Sequence, residues 1–428
     1  GILEGGQQST GVGYLVNWYG PYPTDLDRYD ELGKVSTHIN MANESIHVQD
    51  VVFFPARQNA TDNYIFKKAL MDYGAFLVAI YAGENSKYYN ETSAARYYNG
   101  TKGINHAVTL VGWDDNYPAS NFLNPPSGDG AWIIKNSWGE NMGDKGYFYV
   151  SYYTASMNYG LYRLQGYHSD SRLFAVIIND TIRLDKNYQY DFAGSTSSKA
   201  YFNGQSIKNV FTATEDEYLA SVSTYFMQNT AYDINIYHNG EMVLNQSGVS
   251  KQGYYTIDLD KLIQLRANDT FEVVFKMKNL DGSSFMAMTT NLGQVTEKAL
   301  YKKGISFYSS PNSPESWIDI GPSSIFCIKA FTILNPIQSG IDLAVDYADF
   351  DPVIITATVS DEYARKLKSG TVTFTFNSTD YVANVSDGIA VFKHKFDKGP
   401  VTITAEYSGE GFIKSKDSID IDISKIEV

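Results

Sequence analysis

Two short segments, at residues 103–113 and 131–150, constrain the fold more than any other part of this chain. The first reads GINHAVTLVGW, and the second begins AWIIKNSWG and ends GDKGYFYV. Each contains an apolar run of strand length next to polar residues, which is typical of a buried β-strand that ends at the surface. His106 stands at the start of the first strand and Asn136 ends the second. We therefore predict that the ring of His106 points into a cleft and that the amide oxygen of Asn136 accepts a hydrogen bond from it.

An imidazole and a carboxamide in this arrangement suit proton transfer. The imidazole takes and returns a proton, and a neighbouring acceptor fixes the orientation of its ring. Trp138 follows Asn136 by two residues and is expected to cover the hydrogen bond and exclude competing water. A lone histidine at the start of a strand is more often a hydrogen-bonded structural residue. The Asn-Ser-Trp-Gly sequence downstream favours the functional interpretation.

Both segments resemble the histidine and asparagine segments of the papain family of cysteine peptidases. The resemblance implies a Cys-His-Asn site that hydrolyses peptide bonds in a peptide or protein substrate, without a cofactor or a metal. It implies catalytic roles for His106 and Asn136 and a supporting role for Trp138. It also implies four residues that line the substrate groove, namely Gly5, Gly6, Asn105 and Ala107. The two glycines match the family's glycine loop, whose backbone pairs with an extended substrate; by themselves they would indicate an ordinary turn.

The nucleophile of such a site is missing from this sequence. Its one cysteine, Cys327, lies far downstream in SIFCIKAF at 324–331, which predicts a half-buried strand with the thiol as a small buried side chain. We therefore expect the cysteine segment to come from sequence upstream of Gly1, and this stretch of chain to be inactive by itself. The alternative is a catalytically inactive surface adhesin that has a papain-like fold and binds carbohydrate or protein through its β-domains.

The net charge and the pattern of apolar residues limit the classes of partner and the cellular locations that we expect for this protein. A formal net charge of −14 argues against a nucleic-acid partner. No apolar run reaches the ~20 residues of a membrane-spanning helix. A single cysteine excludes disulfides within the chain, which suggests a prokaryotic protein whose cores suffice without cross-links. The acidic composition suits a surface or secreted protein, and the resemblance implies an extracellular or cell-surface location.

The sequence divides into three predicted domains, multidomain α+β and all-β in class. Residues 1–160 read as a partial papain-like domain without its cysteine-bearing helix. Alternating runs between turn residues at 165–336 indicate a β-sandwich, which resembles a lectin-like domain and implies a surface glycan as partner. Its aromatic side chains either stack on sugar rings or, more commonly, fill the core. Residues 338–428 resemble a bacterial immunoglobulin-like module, and linkers are expected at 154–172 and 336–340.

Local patterns predict the elements around the two central segments. A helical period over residues 63–73 ends at Gly74, and a strand is expected over 75–81. The sequence GVGYLVNWYGP at 11–21 is similar to the family's helix after the glycine loop. The polar, tyrosine-rich residues 83–102 are expected to form a surface loop at the rim of the cleft.

Overall fold

The structure is a computed structural model that describes residues 8–23, 25, 46–55, 57, 59–155, 157, 173–177, 184–200, 205–279, 285–291, 293, 299–310, 313–346 and 352–423. Within these residues every α-helix lies in the N-terminal region, and the middle and C-terminal regions consist mainly of β-strands. The predicted multidomain α+β and all-β class is therefore confirmed. No helix in this part of the chain is long and apolar enough to cross a membrane.

The N-terminal region combines short helices with one side of a long sheet. Its helices are α1 (Gln8–Val16), α2 (Tyr64–Tyr73) and α3 (Asn85–Tyr88), with a 3-10 turn at Ala119–Asn121. Its strands are β1 (Asp50–Phe54), β2 (Phe76–Ile80), β3 (Tyr89–Asn90), β4 (Ala95–Arg96), β5 (His106–Asp114), β6 (Ala131–Lys135), β7 (Tyr147–Ser151) and β8 (Leu173–Ile177).

Helix α2 forms where the 3.6-residue period predicts it. It buries Phe66 and Ala69 in the core between the helix and the sheet. Gly74 ends it, because a φ of 78° suits a residue without a side chain, and the Gly74 N–H donates to the Leu70 carbonyl. The predicted helix and the strand that follows it are confirmed. The helix predicted within 11–21 is α1, which begins earlier and ends at Val16.

The prediction of a surface loop over residues 83–102 is wrong. Helix α3 and strands β3 and β4 form there, and β4 pairs in parallel with β7. Tyr88 and Tyr98 are buried, with their ring centroids 4.9 Å apart. A tyrosine buries its ring readily when its hydroxyl finds a partner, so tyrosine content is a poor sign of exposure.

The middle region is a β-sandwich of two antiparallel sheets. Its strands are β9 (Lys186–Tyr188), β10 (Ser197–Ala200), β11 (Ser206–Thr212), β12 (Glu217–Phe226), β13 (Thr230–His238), β14 (Glu241–Ser250), β15 (Gly253–Leu265), β16 (Thr270–Asn279), β17 (Phe285–Thr290), β18 (Ser306–Ser310), β19 (Ser313–Asp319), β20 (Ser324–Phe326) and β21 (Ile328–Ile333). One sheet has the order β14-β13-β16-β11-β18-β19. It packs on the sheet that contains β12 and β15 through a core that includes Phe211, Val222 and Phe275.

The second sheet of the sandwich continues into the N-terminal region. Strand β15 pairs with β1, and the order runs on as β15-β1-β8-β2-β5-β6-β7-β4-β3. Val51 of β1 lies opposite Tyr254 of β15. A single hydrogen-bonded sheet therefore crosses the two regions. Strand β8, which lies C-terminal to the predicted division near residue 165, pairs with β1 and β2, and the three domain boundaries stay predictions.

The C-terminal region is a second two-sheet sandwich. Its strands are β22 (Ile337–Asp346), β23 (Val353–Asp361), β24 (Thr371–Phe376), β25 (Thr379–Asn384), β26 (Ile389–His394), β27 (Pro400–Ser408), β28 (Phe412–Ile413) and β29 (Ser415–Asp422). The sheets β26-β23-β22-β28 and β25-β24-β27-β29 share a core that contains Ile355, Phe374 and Tyr407. Its immunoglobulin-like kinship stays a prediction.

The two predicted linkers fare differently. The prediction of a linker at 336–340 is wrong, because β22 begins at Ile337. The side chain of Ile337 is buried against Phe331 and Phe412. Pro336 marks the start of a strand there, a position that proline tolerates. The linker at 154–172 lies, apart from residues 154, 155 and 157, outside the described residues.

Candidate active site

The sheet brings His106 and Asn136 together. His106 is the first residue of β5, and Asn136 directly follows β6, which runs antiparallel to β5 with Thr109 opposite Lys135. The His106 Nε2 atom lies 2.8 Å from Asn136 Oδ1. The two residues are 30 positions apart in the chain, and the antiparallel pairing places them at the same edge of the sheet.

A second donor identifies the Asn136 atom that faces the ring. The Ser137 backbone N–H donates to the same Oδ1 at 2.8 Å. Since a backbone N–H requires an acceptor, this atom is the amide oxygen. The oxygen accepts from His106, so Nε2 carries the proton and Nδ1 is the free base of the neutral ring. The Asn136 backbone N–H donates to the Gly146 carbonyl at 3.0 Å, which fixes the residue.

Trp138 stacks on the histidine ring. The ring centroids are 4.7 Å apart and the planes differ by 23°. The indole also contacts Phe148 in an edge-on arrangement, with centroids 6.1 Å apart. Trp138 is 42% exposed, so one face of the indole meets solvent while the other covers the imidazole. Such a cover lowers the local dielectric around the hydrogen bond between His106 and Asn136.

The structure describes two of the four predicted groove residues, and their role in substrate binding stays a prediction. Asn105 links the start of β5 to the chain that follows β2, since its Oδ1 accepts the Ala82 N–H at 2.8 Å and its N–H donates to the Ile80 carbonyl at 3.0 Å. Ala107 is exposed and lies opposite Ala79 of β2. Gly5 and Gly6 lie outside the described residues.

Arg96 organises the wall beside this pair and carries no signal in the sequence. It is 5% exposed, and its Nε donates to the Tyr81 carbonyl at 2.9 Å. Its other donors bind Asn85 Oδ1, at 2.8 Å, and the Gly83 carbonyl. Burial lowers the pKa of the guanidinium from its ordinary value. Only the tertiary fold shows that these donors converge on one turn of chain next to Ala82.

Cys327 is far from His106 and Asn136 in the sequence, and its buried thiol is unsuited to act as a nucleophile. Burial raises the pKa of its thiol well above the ordinary value, so the reactive thiolate is disfavoured. The predicted half-buried strand is wrong, because neighbours from Ile325 to Phe331 are all buried. Phe326 and Ile328 face the sandwich core, whereas Cys327 faces a separate core that includes residues of α1 and β1. The strand has both faces covered, which an alternating pattern does not anticipate.

Comparison with known proteins agrees with this geometry. Residues 4–163 match the model of the papain family of cysteine proteases, and residues 187–332 match that of a lectin-like domain. A cysteine proteinase of Carica papaya is 36% identical over 78 residues, which is 18% of this chain and 75% of that protein. This chain belongs to the papain family of cysteine proteases. Testin-2 of Mus musculus is 32% identical over 111 residues, 26% of this chain, and the match spans only 30% of Testin-2.

Two solved structures superimpose on about three quarters of this chain, and one of them is described as a cysteine protease with a lectin-like domain. A clostridial cysteine protease, Cwp84 after propeptide cleavage, superimposes with a TM-score of 0.63 at 27% identity, over 77% of this chain and 82% of that chain. The cysteine protease and lectin-like domains of Cwp84, a surface layer associated protein of Clostridium difficile, give 0.61 at 27% identity, over 75% and 72%. The papain-like domain is thus followed by a lectin-like domain in this chain too. The C-terminal sandwich lies beyond both family matches.

Proposed function

We propose that this chain forms the later part of a cysteine-type peptidase that hydrolyses peptide bonds through a Cys-His-Asn site. The cysteine comes from sequence upstream of Gly1, His106 moves the proton, and Asn136 orients the histidine. The observation that carries the proposal is the 2.8 Å contact between His106 Nε2 and Asn136 Oδ1, made on the oxygen that Ser137 also binds. The match of residues 4–163 to the papain family of cysteine proteases supports a catalytic role for this pair.

The reaction follows from the tautomer. With Nε2–H donated to Asn136, the His106 Nδ1 takes the thiol proton, and the resulting imidazolium stabilises the thiolate. The thiolate sulfur bonds to the peptide carbonyl carbon, and the C–N bond breaks as Nδ1 returns its proton to the leaving amine. His106 then takes a proton from water, whose oxygen displaces the sulfur from the thioester. Trp138 keeps solvent from competing for the Asn136 oxygen throughout.

We further propose that the substrate is an extended peptide or protein segment. Gly5 and Gly6 pair with its backbone, and Asn105 and Ala107 line the groove beside His106. What supports this is the exposure of Ala107, whose small side chain leaves room over the sheet edge, and the tie between Asn105 and Ala82.

The accessory domains suggest where the enzyme works. We propose an extracellular or cell-surface location in a bacterium, with a surface glycan bound by the lectin-like domain and an immunoglobulin-like spacer after it. This proposal is supported by Cwp84, whose description names it a surface layer associated protein. The net charge of −14 supports a role without nucleic acid.

A catalytically inactive adhesin is the second candidate. It is favoured by one observation, the absence of a cysteine other than the buried Cys327 from this sequence. In that case the cleft beside His106 binds a peptide without cleaving it, and the β-domains provide the adhesion.

One experiment separates the two candidates. The protein is expressed together with its upstream coding sequence, and hydrolysis of a fluorogenic peptide library is measured. We expect turnover that is lost by roughly a thousandfold or more in His106→Ala, because the general acid and base is removed. The matched control, Cys327→Ala, retains full activity. Turnover that requires Cys327, or no turnover and no thiol labelling in any variant, contradicts the peptidase proposal; the second result supports the adhesin.

A further inference from the structure

Helix α1 lies on a core that the lectin-like region completes. Its buried residues Val12 and Val16 pack in one cluster with members of both regions. From the N-terminal region the cluster takes Val48, Val51 and Phe53, and from the lectin-like region Tyr225, Met227, Tyr254, Ala287 and Cys327. The helix is only nine residues long, too short to be stable without such packing. The lectin-like region therefore supplies much of the surface that holds α1.

Residues 187–194 of the lectin-like region, which we call the strap, bind the C-terminal end of α1. The side chains of Asn187 and Gln189 donate to the Val16 and Asn17 carbonyls at 3.4 and 3.2 Å. In return, the Asn17 side chain donates to the Phe192 carbonyl at 2.8 Å. The last carbonyls of a helix have no partner within the helix, so the strap acts as its C-terminal cap.

The strap is itself fixed by a buried ion pair. Lys329 Nζ lies 2.6 Å from Asp191 Oδ1, and both side chains are 0% exposed. The same ammonium donates to Gln189 Oε1 at 2.8 Å, and Thr289 Oγ1 donates to the Gly194 carbonyl at 2.5 Å. A buried pair tolerates little displacement, because any opening leaves a charge desolvated without its partner. The strap consequently has one well-defined position.

Gly13 lies close to the backbone of the strap. A Cβ atom at Gly13 would lie 2.9 Å from Gly194 Cα, 3.0 Å from its nitrogen and 3.1 Å from the Ala193 carbonyl carbon. All three are backbone atoms, which cannot rotate away as a side chain would. Gly11 lies two residues earlier in the same helix and is exposed. A Cβ atom at Gly11 would have nothing within 4 Å.

We propose that the lectin-like domain positions the substrate-binding side of the peptidase through this strap, with Gly13 and Asn17 as positioning residues. The inference rests on the proposed function, in which Gly5 and Gly6 pair with substrate. Only Gln7 separates Gly6 from the first residue of α1, so a shift of the helix moves the attachment point of that loop. Among the described residues, no hydrogen bond or ion pair joins the strap to β5 or β6, so we expect His106 and Asn136 to keep their geometry.

The test compares Gly13→Ala with Gly11→Ala in the enzyme that includes its upstream segment. Both changes favour the helix equally, and only the first collides with the strap. For a peptide that extends several residues N-terminal to the scissile bond, we expect Gly13→Ala to raise KM about tenfold with kcat little changed, since a sub-ångström shift weakens positioning. A short substrate that does not reach the glycine loop, and the pH profile of thiol alkylation, stay as in the wild type. Gly11→Ala matches the wild type in every assay.

The outcomes separate this inference from the proposed function. A lower thermal midpoint for Gly13→Ala with KM equal to that of Gly11→Ala means a merely structural contact and overturns the inference, while turnover upholds the peptidase. If Gly13→Ala does not fold, Asn17→Ala replaces it, with the same dependence on substrate length expected and the same result overturning it. If no variant turns over, the proposed function fails. Amide hydrogen exchange in α1 then decides the strap's role: faster exchange in Gly13→Ala than in Gly11→Ala supports it, and equal exchange overturns it.

Discussion

At the scale of single residues, the Asn136 oxygen is the point on which the candidate site depends. It accepts from two donors, the His106 ring and the Ser137 amide, and so it is held even when the ring moves. An acceptor fixed in this way selects the tautomer of the ring and its orientation together. Trp138, stacked on the ring at 4.7 Å, limits the remaining freedom to rotation in one plane.

Replacing this acceptor is expected to slow chemistry without unfolding the protein. In the enzyme with its upstream segment, Asn136→Ala lowers kcat by roughly a hundredfold, because the imidazole loses its orienting partner and spends less time facing the thiol. Peptide hydrolysis and the urea midpoint are measured together. The control is Ser137→Ala, which keeps the backbone N–H and leaves kcat unchanged. An unaltered kcat in Asn136→Ala would show that Trp138 alone orients the ring.

At the scale of elements, the pairing of β1 with β15, which we call the seam, partly buries the carboxyl group of Asp50. Burial raises the pKa of Asp50 to about 6, with a further contribution from Asp258 and an opposing one from the Thr256 N–H that it accepts at 2.8 Å. Its folded pKa exceeds the ordinary value of 3.8. The folded state thus holds the proton more tightly, and the stability this provides is present below about pH 4 and lost as pH rises through about 6.

We therefore expect Asp50→Asn to stabilise the protein above pH 6. The amide keeps an oxygen for the Thr256 N–H and removes the buried charge, so the free energy of unfolding at pH 7 rises by up to about 3 kcal/mol. Urea titrations at pH 4 and pH 7 measure this, and we expect the stability gained by the variant over the wild type to be larger at pH 7 than at pH 4. Equal pH dependence in both proteins would show that the Asp50 carboxylate is well solvated at the seam.

The strap offers a second test at this scale. Lys329→Met leaves Asp191 buried without its cation and is expected to cost roughly 3–5 kcal/mol of unfolding free energy. Combining it with Asp191→Leu removes the remaining charge and restores most of that loss. Urea denaturation of the two single variants and the double variant gives the coupling energy. If the double variant is no more stable than Lys329→Met, the ion pair does not fix the strap.

How much of the fold and of the candidate site the sequence predicts depends on how far apart in the chain the interacting residues are. The α2 period, its Gly74 cap and the strands that present His106 and Asn136 follow local rules and are readable from the chain. Burial of Arg96 and Lys329 is not, because their partners come from distant segments and carry no spacing pattern. The pairing of β1 with β15 joins residues about 200 positions apart, and no local signal selects it.

At the scale of the whole molecule, the papain-like and lectin-like regions share a sheet and a hydrophobic core. The long sheet crosses from the lectin-like region into the papain-like region, and one core takes residues from both. The C-terminal sandwich is tied on as well, through Arg365 to Asp258 at 2.9 Å and Lys368 to Asp260 at 2.8 Å. The description of accessory domains as separable modules therefore fits the sequence better than the structure.

A truncation tests this directly. We expect a fragment of residues 1–177 to lack cooperative unfolding, since β1 loses β15 and α1 loses the strap, whereas residues 1–336 retain it. Calorimetry of the second fragment gives a single transition for the papain-like and lectin-like regions. Two separate transitions, one of them shared with isolated residues 187–332, would contradict a common folding unit.

The contact between Gly13 and Gly194 has a consequence for the history of such proteins. The backbones at Gly13 and Gly194 meet without side chains between them, although the two residues are encoded some 180 codons apart. Gly194 has a φ of 68°, so a foreign lectin-like segment with a larger residue at this position would be strained where it meets the helix. We therefore expect Gly13 and Gly194 to be inherited together. A lectin-like segment transferred from another protein is expected to persist only when the helix that contacts it is selected with it.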